Sequence, residues 1–379
     1  MNFKAFLNTI GSSARTLPIV ILYVTESCNL KCITCSYREA LPGELSLNEI
    51  KELASQLNKL GLRHIVFSGG EPLLRKDFAE ICKSFSEFNV KQSLLTNGLL
   101  LEKRVKEIYK YFSEIIVSVD GAYAETHNPI RGVNSFDLIM KGITTALSLP
   151  GIKDISIRTV IQKSNFRQIG DMVRLAKSLG VKRISFLSAD VLPGAFGRIP
   201  GNRIIDKYHG ENFAKDNGID GATSPNSAQF IPHFGAGHAM TNQQDILLNE
   251  DEIKEFRQII QKLSIENKAD FDSGFISESS AKLFHMADYF EAHTGKSGFP
   301  KTSCNAPMMS AVITSTGEVQ PCFFLPAFGN IRKNSVKELI NCESVRETRM
   351  KVKNYKMERC KTCVCTLTVS SKAALYNRF

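Results

Sequence analysis

Between Pro18 and about Leu187 two textures alternate along the chain. Apolar, β-branched runs are followed by turn residues, then by stretches with one apolar position in every three or four, then by another such run. The runs predict strands at Ile19–Thr25, His64–Ser68, Lys91–Thr96, Glu114–Asp120, Ile155–Ile161 and Ile184–Leu187. Their spacing averages about thirty residues, the length of one strand–helix unit. The intervening helices carry start and stop signals. Ser46-Leu47-Asn48-Glu49 reads as a capping box, Ile50, Leu53, Ala54, Leu57 and Leu60 share one face, and Gly61 ends the helix. The same grammar recurs from Phe166 to Leu179 and Gly180. Six successive units imply parallel strands with right-handed crossovers, and such a sheet opens its ligand site at the carboxyl ends of the strands.

After Leu187 the pattern lapses. Residues 190–245 hold eight glycines and four prolines with little periodicity, which suggests a substrate lid leaving the same rim. His209, His233 and His238 fall there, but their spacings match no ligand pattern. Helices are expected at Glu250–Leu263 and around Ser279–His293. A hairpin "SAVITSTGEVQPC" turning at Thr316-Gly317 follows, then a helix at Ser335–Met350 that leads to "CKTCVC" at 360–365.

The 379 residues, 43% hydrophobic and 23% charged, suit one large domain or two smaller ones. No apolar run approaches the roughly 18–20 residues of a membrane span. Residues 1–18 lack the layout of a signal peptide, so the expected setting is cytoplasmic, with thiols reduced. Ten cysteines in that setting argue for metal or catalysis before disulfides. Cys82 stands alone in a helical pattern and reads as a small buried apolar residue. The net charge of +10 suits an acidic partner. It is densest where Arg346, Arg349, Lys351, Lys353, Lys356, Arg359 and Lys361 face only Glu347 and Glu358, a candidate docking patch.

The polar motifs fall at the strand ends. "CNLKCITC" follows the first strand, "SGGEP" (68–72) the second, "TNG" (96–98) the third, and "SVDG" (118–121) closes the fourth. Arg158 lies on the fifth strand and Asn165 just beyond it. Connecting loops have no reason of their own to gather polar groups on one rim. Cys28, Cys32 and Cys35 have the spacing C-x3-C-x2-C. A four-iron cube is usually held by four thiolates, so three leave one iron open. A zinc site completed by Cys360 and Cys363 with Cys32 and Cys35 is the other reading, but it idles Cys28 and leaves the glycine–glutamate loop unexplained.

In combination, C-x3-C-x2-C after the first strand, "GGEP" after the second, "SVDG" and "HNPIRG" (127–132) resemble the radical S-adenosylmethionine (SAM) superfamily. The resemblance implies an α/β fold, a partial (β/α)6 TIM-like barrel with a C-terminal twitch/SPASM-like domain. It also implies a [4Fe–4S] cluster on Cys28, Cys32 and Cys35, with SAM chelating the open iron. Gly69, Gly70 and Glu71 would hold the methionyl ammonium, Ser118 and Asp120 would touch the ribose or methionyl end, Asn165 the adenosine, and Arg158 the SAM carboxylate. The residue before the third cysteine, often aromatic in that family, is Thr34 here.

Cys304, twelve residues, Gly317, four residues, Cys322, and a later Cys360/Cys363 pair resemble the SPASM/twitch extension. That resemblance implies one auxiliary [4Fe–4S] cluster on these four thiolates, with structural zinc as the rival occupant. Cys342 is expected in a helix and unligated, and Cys365 is an alternative ligand. The division expected is an extension at 1–17, the core at 18–189, a cap and helical segment at 190–300, and the auxiliary domain at 301–379. The activity implied is reductive cleavage of SAM to a 5′-deoxyadenosyl radical that takes hydrogen from a small anionic metabolite. The end result would be oxidative or redox-neutral modification, fed by an acidic electron donor such as a flavodoxin or ferredoxin. Maturation of a ribosomally made peptide is the alternative, although residues 1–18 are too short for a leader-binding domain. A nucleic-acid-binding iron–sulfur or zinc module would need an aromatic-basic recognition motif that the chain lacks.

Overall fold

The computed structural model describes residues 2–35, 37, 40–150, 154–191, 243–365 and 367–376. The expected lid, with His209, His233 and His238, lies almost wholly outside them. Six parallel strands form as expected: β1 (Ile19–Thr25), β2 (His64–Gly69), β3 (Lys91–Thr96), β4 (Glu114–Ser118), β5 (Asp154–Ile161) and β6 (Arg183–Ser188). The helices that follow them include α2 (Leu47–Lys59), α3 (Phe78–Ser86), α4 (Leu101–Ile108), α5 (Ala124–Arg131), α6 (Phe136–Leu147) and α7 (Ile169–Leu179), while α1 (Phe3–Ile10) precedes β1. The capping box of Ser46 and Glu49 is formed, and Gly61 and Gly180 take the left-handed conformation that ends a helix. No helix among the described residues is long and apolar enough to cross a membrane.

The sheet has eight strands in the order β6-β5-β4-β3-β2-β1-β7-β8. The expected hairpin supplies β7 (Ser310–Ile313) and β8 (Val319–Gln320), but it does not stand apart. β7 pairs parallel to β1, from Ile19↔Ser310 to Leu22↔Ile313. All four residues of β7 are buried, so the C-terminal segment covers what would otherwise be an open edge of the barrel sheet.

The strands alternate, apart from an irregularity in β1 between Tyr23 and Thr25. Val20, Leu22, Phe67, Leu94, Ile115, Ile157 and Ile184 point to the helices and form one core. His64, Ser93, Glu114, Ser156, Arg158, Arg183 and Ser185 alternate with them and bond to one another across strands, so the opposite face carries a polar network over β2–β6, while β1 turns Ile19 and Ile21 to a small apolar cluster with Met308 and Met309. Apolar residues on one side therefore fix the register, which in turn presents polar groups on the other.

One expectation is corrected. The helix expected at Ser335–Met350 is broken into Val336–Leu339 and Glu343–Lys353, with Cys342 at the cap between them. Asn341 turns instead to the N-terminal extension, where its side chain accepts from Ala14 N at 2.9 Å and donates to Ala14 O at 3.0 Å. The N-terminal segment also packs on the C-terminal one, since α1 meets a C-terminal helix, Ser371–Leu375, and Asn2 N donates to Leu375 O at 2.6 Å. Cys82 is buried in α3, as its surroundings required.

Phe67 sits at the centre of the helix-side core, edge-on to Phe78, Phe85 and Phe112. Phe67→Ala should cost about 3–5 kcal/mol in denaturant unfolding, whereas Ile265→Ala, 72% exposed, should change stability by no more than about 0.5 kcal/mol. On the polar face, His64 Nε2 lies 2.8 Å from Ser93 Oγ, and burial beside Lys91 pushes its pKa down from 6.5 to about 4. The unfolded chain protonates first, so stability present above pH 6.5 is lost as pH falls toward 4. His64→Gln should flatten that slope by on the order of 1 kcal/mol, a figure reduced for the partial exposure of the ring.

Candidate functional site

The loops leaving β1, β2 and β3 interlock at the carboxyl rim. Gly69 and Gly70 lie directly on the exit of β1. A Cβ on Gly69 would stand 2.1 Å from Thr25 O, and one on Gly70 would stand 2.2 Å from Ser27 O and 2.5 Å from Glu26 O. Only glycine permits this approach, and the amides of Gly70 and Glu71 use it to donate to Thr25 O and Ser27 O at 2.8 and 2.7 Å. The close approach that the glycine pair permits is made to the peptides just ahead of Cys28.

Glu71 is wholly buried and turned inward. Its carboxylate accepts from Leu73 N at 3.0 Å, Thr96 Oγ1 at 2.8 Å and Asn97 N at 2.7 Å. Burial pushes its pKa up to about 7 against the pull of those donors. In this arrangement it locks the β2 and β3 loops together. Asn97 then reaches the cysteine loop, with Nδ2 2.8 Å from Asn29 Oδ1 and 3.8 Å from Cys28 Sγ.

The other flank of the cysteine loop rests on the end of α5. Lys31 N and Ile33 N donate to Arg131 O and Ile130 O, both at 3.0 Å. Gly132, at φ 72°, lies so near that a Cβ would stand 2.3 Å from Lys31 O. The Arg131 guanidinium reaches Cys32 Sγ at 3.8 Å and pairs with Asp120 Oδ2 at 2.8 Å. Asp120 Oδ1 accepts from Val160 N at 2.8 Å, and burial pushes the Asp120 carboxyl up. Asn165 is also committed within the protein: it donates to Asp120 O and Val160 O, each at 2.9 Å, and accepts from Gln162 N.

Among the expected SAM contacts, Ser118 and Arg158 instead sit side by side in register on the polar face. Arg158 Nε donates to Ser185 Oγ at 3.2 Å, and the side chain makes no ion pair among the described residues. Burial pushes its pKa down, with Glu278 acting in the opposite direction. The residue patterns assign no role to Thr96 and Asn97, in the "TNG" motif at the end of β3, or to Arg131, in "HNPIRG" at the end of α5, and membership of those motifs is the available signal.

Cys28, Cys32 and Cys35 form no disulfide among the described residues and are half-buried on this loop. Among the described residues no three His, Cys, Asp or Glu side chains converge on a single ion, so the zinc set drawn from both cysteine groups is not formed. A cube spreads its thiolates over separate irons, and the loop fits that use, with two N–H donors aimed at its sulfurs. Cys304, Cys322, Cys360, Cys363 and Cys365 line one pocket of about 80 Å³ between the inner side of β1 and the C-terminal loops. Five thiols exceed the four that a cube requires, so this set also fits. Burial pushes Cys322 up to about 12 and Cys360 up to about 11, so ligation there must release protons. Two links tie this pocket to the barrel. Arg359 and Asp190, both nearly inaccessible, pair at 2.7 Å beside Cys360. Phe323 stacks on Tyr23 of β1, which meets Tyr37, two residues past Cys35.

The expected basic docking patch is thinner than its sequence. Arg349 is buried on the carbonyls of Pro307, Ser12 and Ile340, and Arg359 on Asp190, because both brace the auxiliary segment from within.

The tight glycine contact yields a direct test. Gly70→Ala should displace the Glu26–Ser27 peptide, cost about 1–3 kcal/mol, and cut the iron taken up anaerobically to roughly the share of the C-terminal cysteines. Unchanged iron content and stability would contradict the contact.

A family model described as the Radical SAM superfamily matches residues 22–196, and one described as an iron-sulfur cluster-binding domain, SPASM, matches 304–364. Mycofactocin maturase MftC of Mycobacterium tuberculosis is 30% identical over 168 residues, 43% of each chain. Fe-coproporphyrin III synthase of Methanosarcina barkeri is 35% identical over 178 residues, 45% of this chain and 43% of that one. The matches thus span less than half the length of these relatives. The crystal structure of Streptococcus suis SuiB bound to precursor peptide SuiA has a TM-score of 0.59 at 16% identity, covering 94% of this chain and 72% of that one. With the matched core ending in a partial barrel and the matched C-terminal domain closing on β1, the chain belongs to the radical SAM superfamily and carries a SPASM domain.

Proposed function

We propose that this protein is a radical SAM enzyme that abstracts hydrogen from a small, anionic metabolite and completes an oxidative or redox-neutral modification. The observation that carries the reading is the pairing of a braced cysteine triad at the barrel rim with a five-thiol pocket on the inner side of β1. Cys28, Cys32 and Cys35 would hold the SAM-binding [4Fe–4S] cluster, and Cys304, Cys322, Cys360 and Cys363 a single auxiliary one, with Cys365 the spare. Bound together, the first cluster and SAM would supply a 5′-deoxyadenosyl radical able to attack an unactivated C–H bond.

The chain's own residues orient and insulate. Gly69 and Gly70 set the cysteine loop, and Glu71 locks the β2 and β3 loops behind it. Ser118 and Arg158, adjacent on the polar face, would meet the ribose or methionyl end and the SAM carboxylate. Asp120 and Asn165 support that surface from behind, since their side-chain oxygens already have partners within the protein. The anionic substrate is suggested by the net positive charge of the chain. An acidic reductant of the flavodoxin or ferredoxin kind would suit the same charge. The second reading, modification of a ribosomally made peptide, is favoured by the likeness to a relative named as a maturase.

Anaerobic reconstitution should give roughly eight irons per chain, four for each cube. With reductant and SAM, the protein should release 5′-deoxyadenosine, and Cys32→Ala should reduce this to background while retaining about four irons. Deuterium passing from a labelled metabolite into that product would identify the carbon attacked. Equal release by Cys32→Ala would overturn the assignment, and deuterium arriving only from a peptide would select the second reading.

A further inference from the structure

We propose that Arg131 is a positioning residue that sets the reduction potential of the N-terminal cluster, by donating a charge-assisted N–H to the sulfur of Cys32. The proposal rests on the reading of Cys28, Cys32 and Cys35 as cluster ligands. Three elements bring the contact about. The main chain at the end of α5 already carries the cysteine loop through the carbonyls of Ile130 and Arg131, and Gly132 allows the two segments to touch. The side chain of the same arginine then folds onto Cys32 Sγ at 3.8 Å. Asp120, at the end of β4, holds the guanidinium at 2.8 Å and is itself fixed by Val160 N on β5. Arg131 and Asp120 are 12% and 5% exposed at their side chains, so water does little to screen the arrangement.

A structural ion pair would not need a sulfur at its far end. Here one guanidinium nitrogen takes the carboxylate and the other takes the thiol. A guanidinium presents a fork of donors in fixed geometry, which allows both contacts from one plane. Hydrogen bonds to ligand sulfurs are among the factors that set cluster potentials, because they draw electron density from sulfur and favour the reduced state. Arg131 accordingly makes this cluster easier to reduce than the bare triad would be. Asp120 fixes the fork's orientation and offsets its charge, so the N–H contact rather than a bare positive charge carries the effect.

The test measures the midpoint potential of the N-terminal cluster, by EPR-monitored redox titration of the reconstituted protein, in Arg131→Met and in the double variant Asp120→Asn/Arg131→Met. The single variant removes the donor but strands a buried carboxylate, and both changes move the potential negative. The double variant removes both charges together, so it folds without an unpaired ion and isolates the donor. The expected result is a more negative potential than wild type in both, larger in the single variant. If Arg131→Met fails to hold its cluster, the double variant decides alone. A double variant with the wild-type potential would overturn the proposal, leaving Arg131 a structural counter-ion to Asp120. A wild-type protein with no N-terminal cluster would instead overturn the ligand assignment, a distinct outcome read before any variant is compared.

Discussion

The whole rim depends on one close backbone approach, that of Gly69-Gly70 to the Thr25–Ser27 peptides. Any Cβ at either glycine would force β1 and β2 apart where their loops begin, and the segment carrying Cys28 starts there. The remaining contacts build outward from it. Glu71, placed by the same turn, locks the β3 loop, and Asn97 of that loop reaches the cysteine segment. On the opposite flank, α5 holds the same segment through two carbonyls. Three thiols thus sit on a loop with no regular secondary structure, yet it is tied to two strands' loops and a helix end.

The sheet makes this possible by dividing its labour between faces. Apolar residues packed on the helices fix register, and register brings Ser118, Arg158 and Ser185 into one row on the polar side. The C-terminal domain then joins the same sheet through β7. Its thiol pocket is partly walled by Ile21 of β1, and the Arg359–Asp190 pair fastens it to the end of β6. Breaking such a buried pair strands a charge, so the auxiliary segment and the barrel are energetically joined there.

Much of this was legible because the sequence signals were local. Strand alternation, the Ser46–Glu49 box and the helix-ending Gly61 and Gly180 are read within a few residues, and all three formed. The cysteine spacings and the glycine pair marked the chemistry for the same reason. What escaped depends on partners distant in the chain. Asn341 breaks a helix because Ala14 takes its side chain. The hairpin becomes part of the barrel because β1 offers it an edge. Glu71, Asp120 and Asn165 carry suggestive residue types, but only the packed structure reveals that their acceptor oxygens have partners within the protein. Arg131 was visible within "HNPIRG", yet its reach to Cys32 spans ninety-nine residues of sequence.

The central claim is that the braced triad leaves one iron for SAM, and the EPR spectrum of the anaerobically reduced protein tests it most directly. Cys304→Ala/Cys322→Ala/Cys360→Ala, which leaves only two of the five thiols lining the auxiliary pocket, keeps the N-terminal signal free of overlap. The account predicts a reduced-cube spectrum whose g-values shift when SAM is added. A protein with no such spectrum, or with one that SAM leaves unchanged, would contradict it.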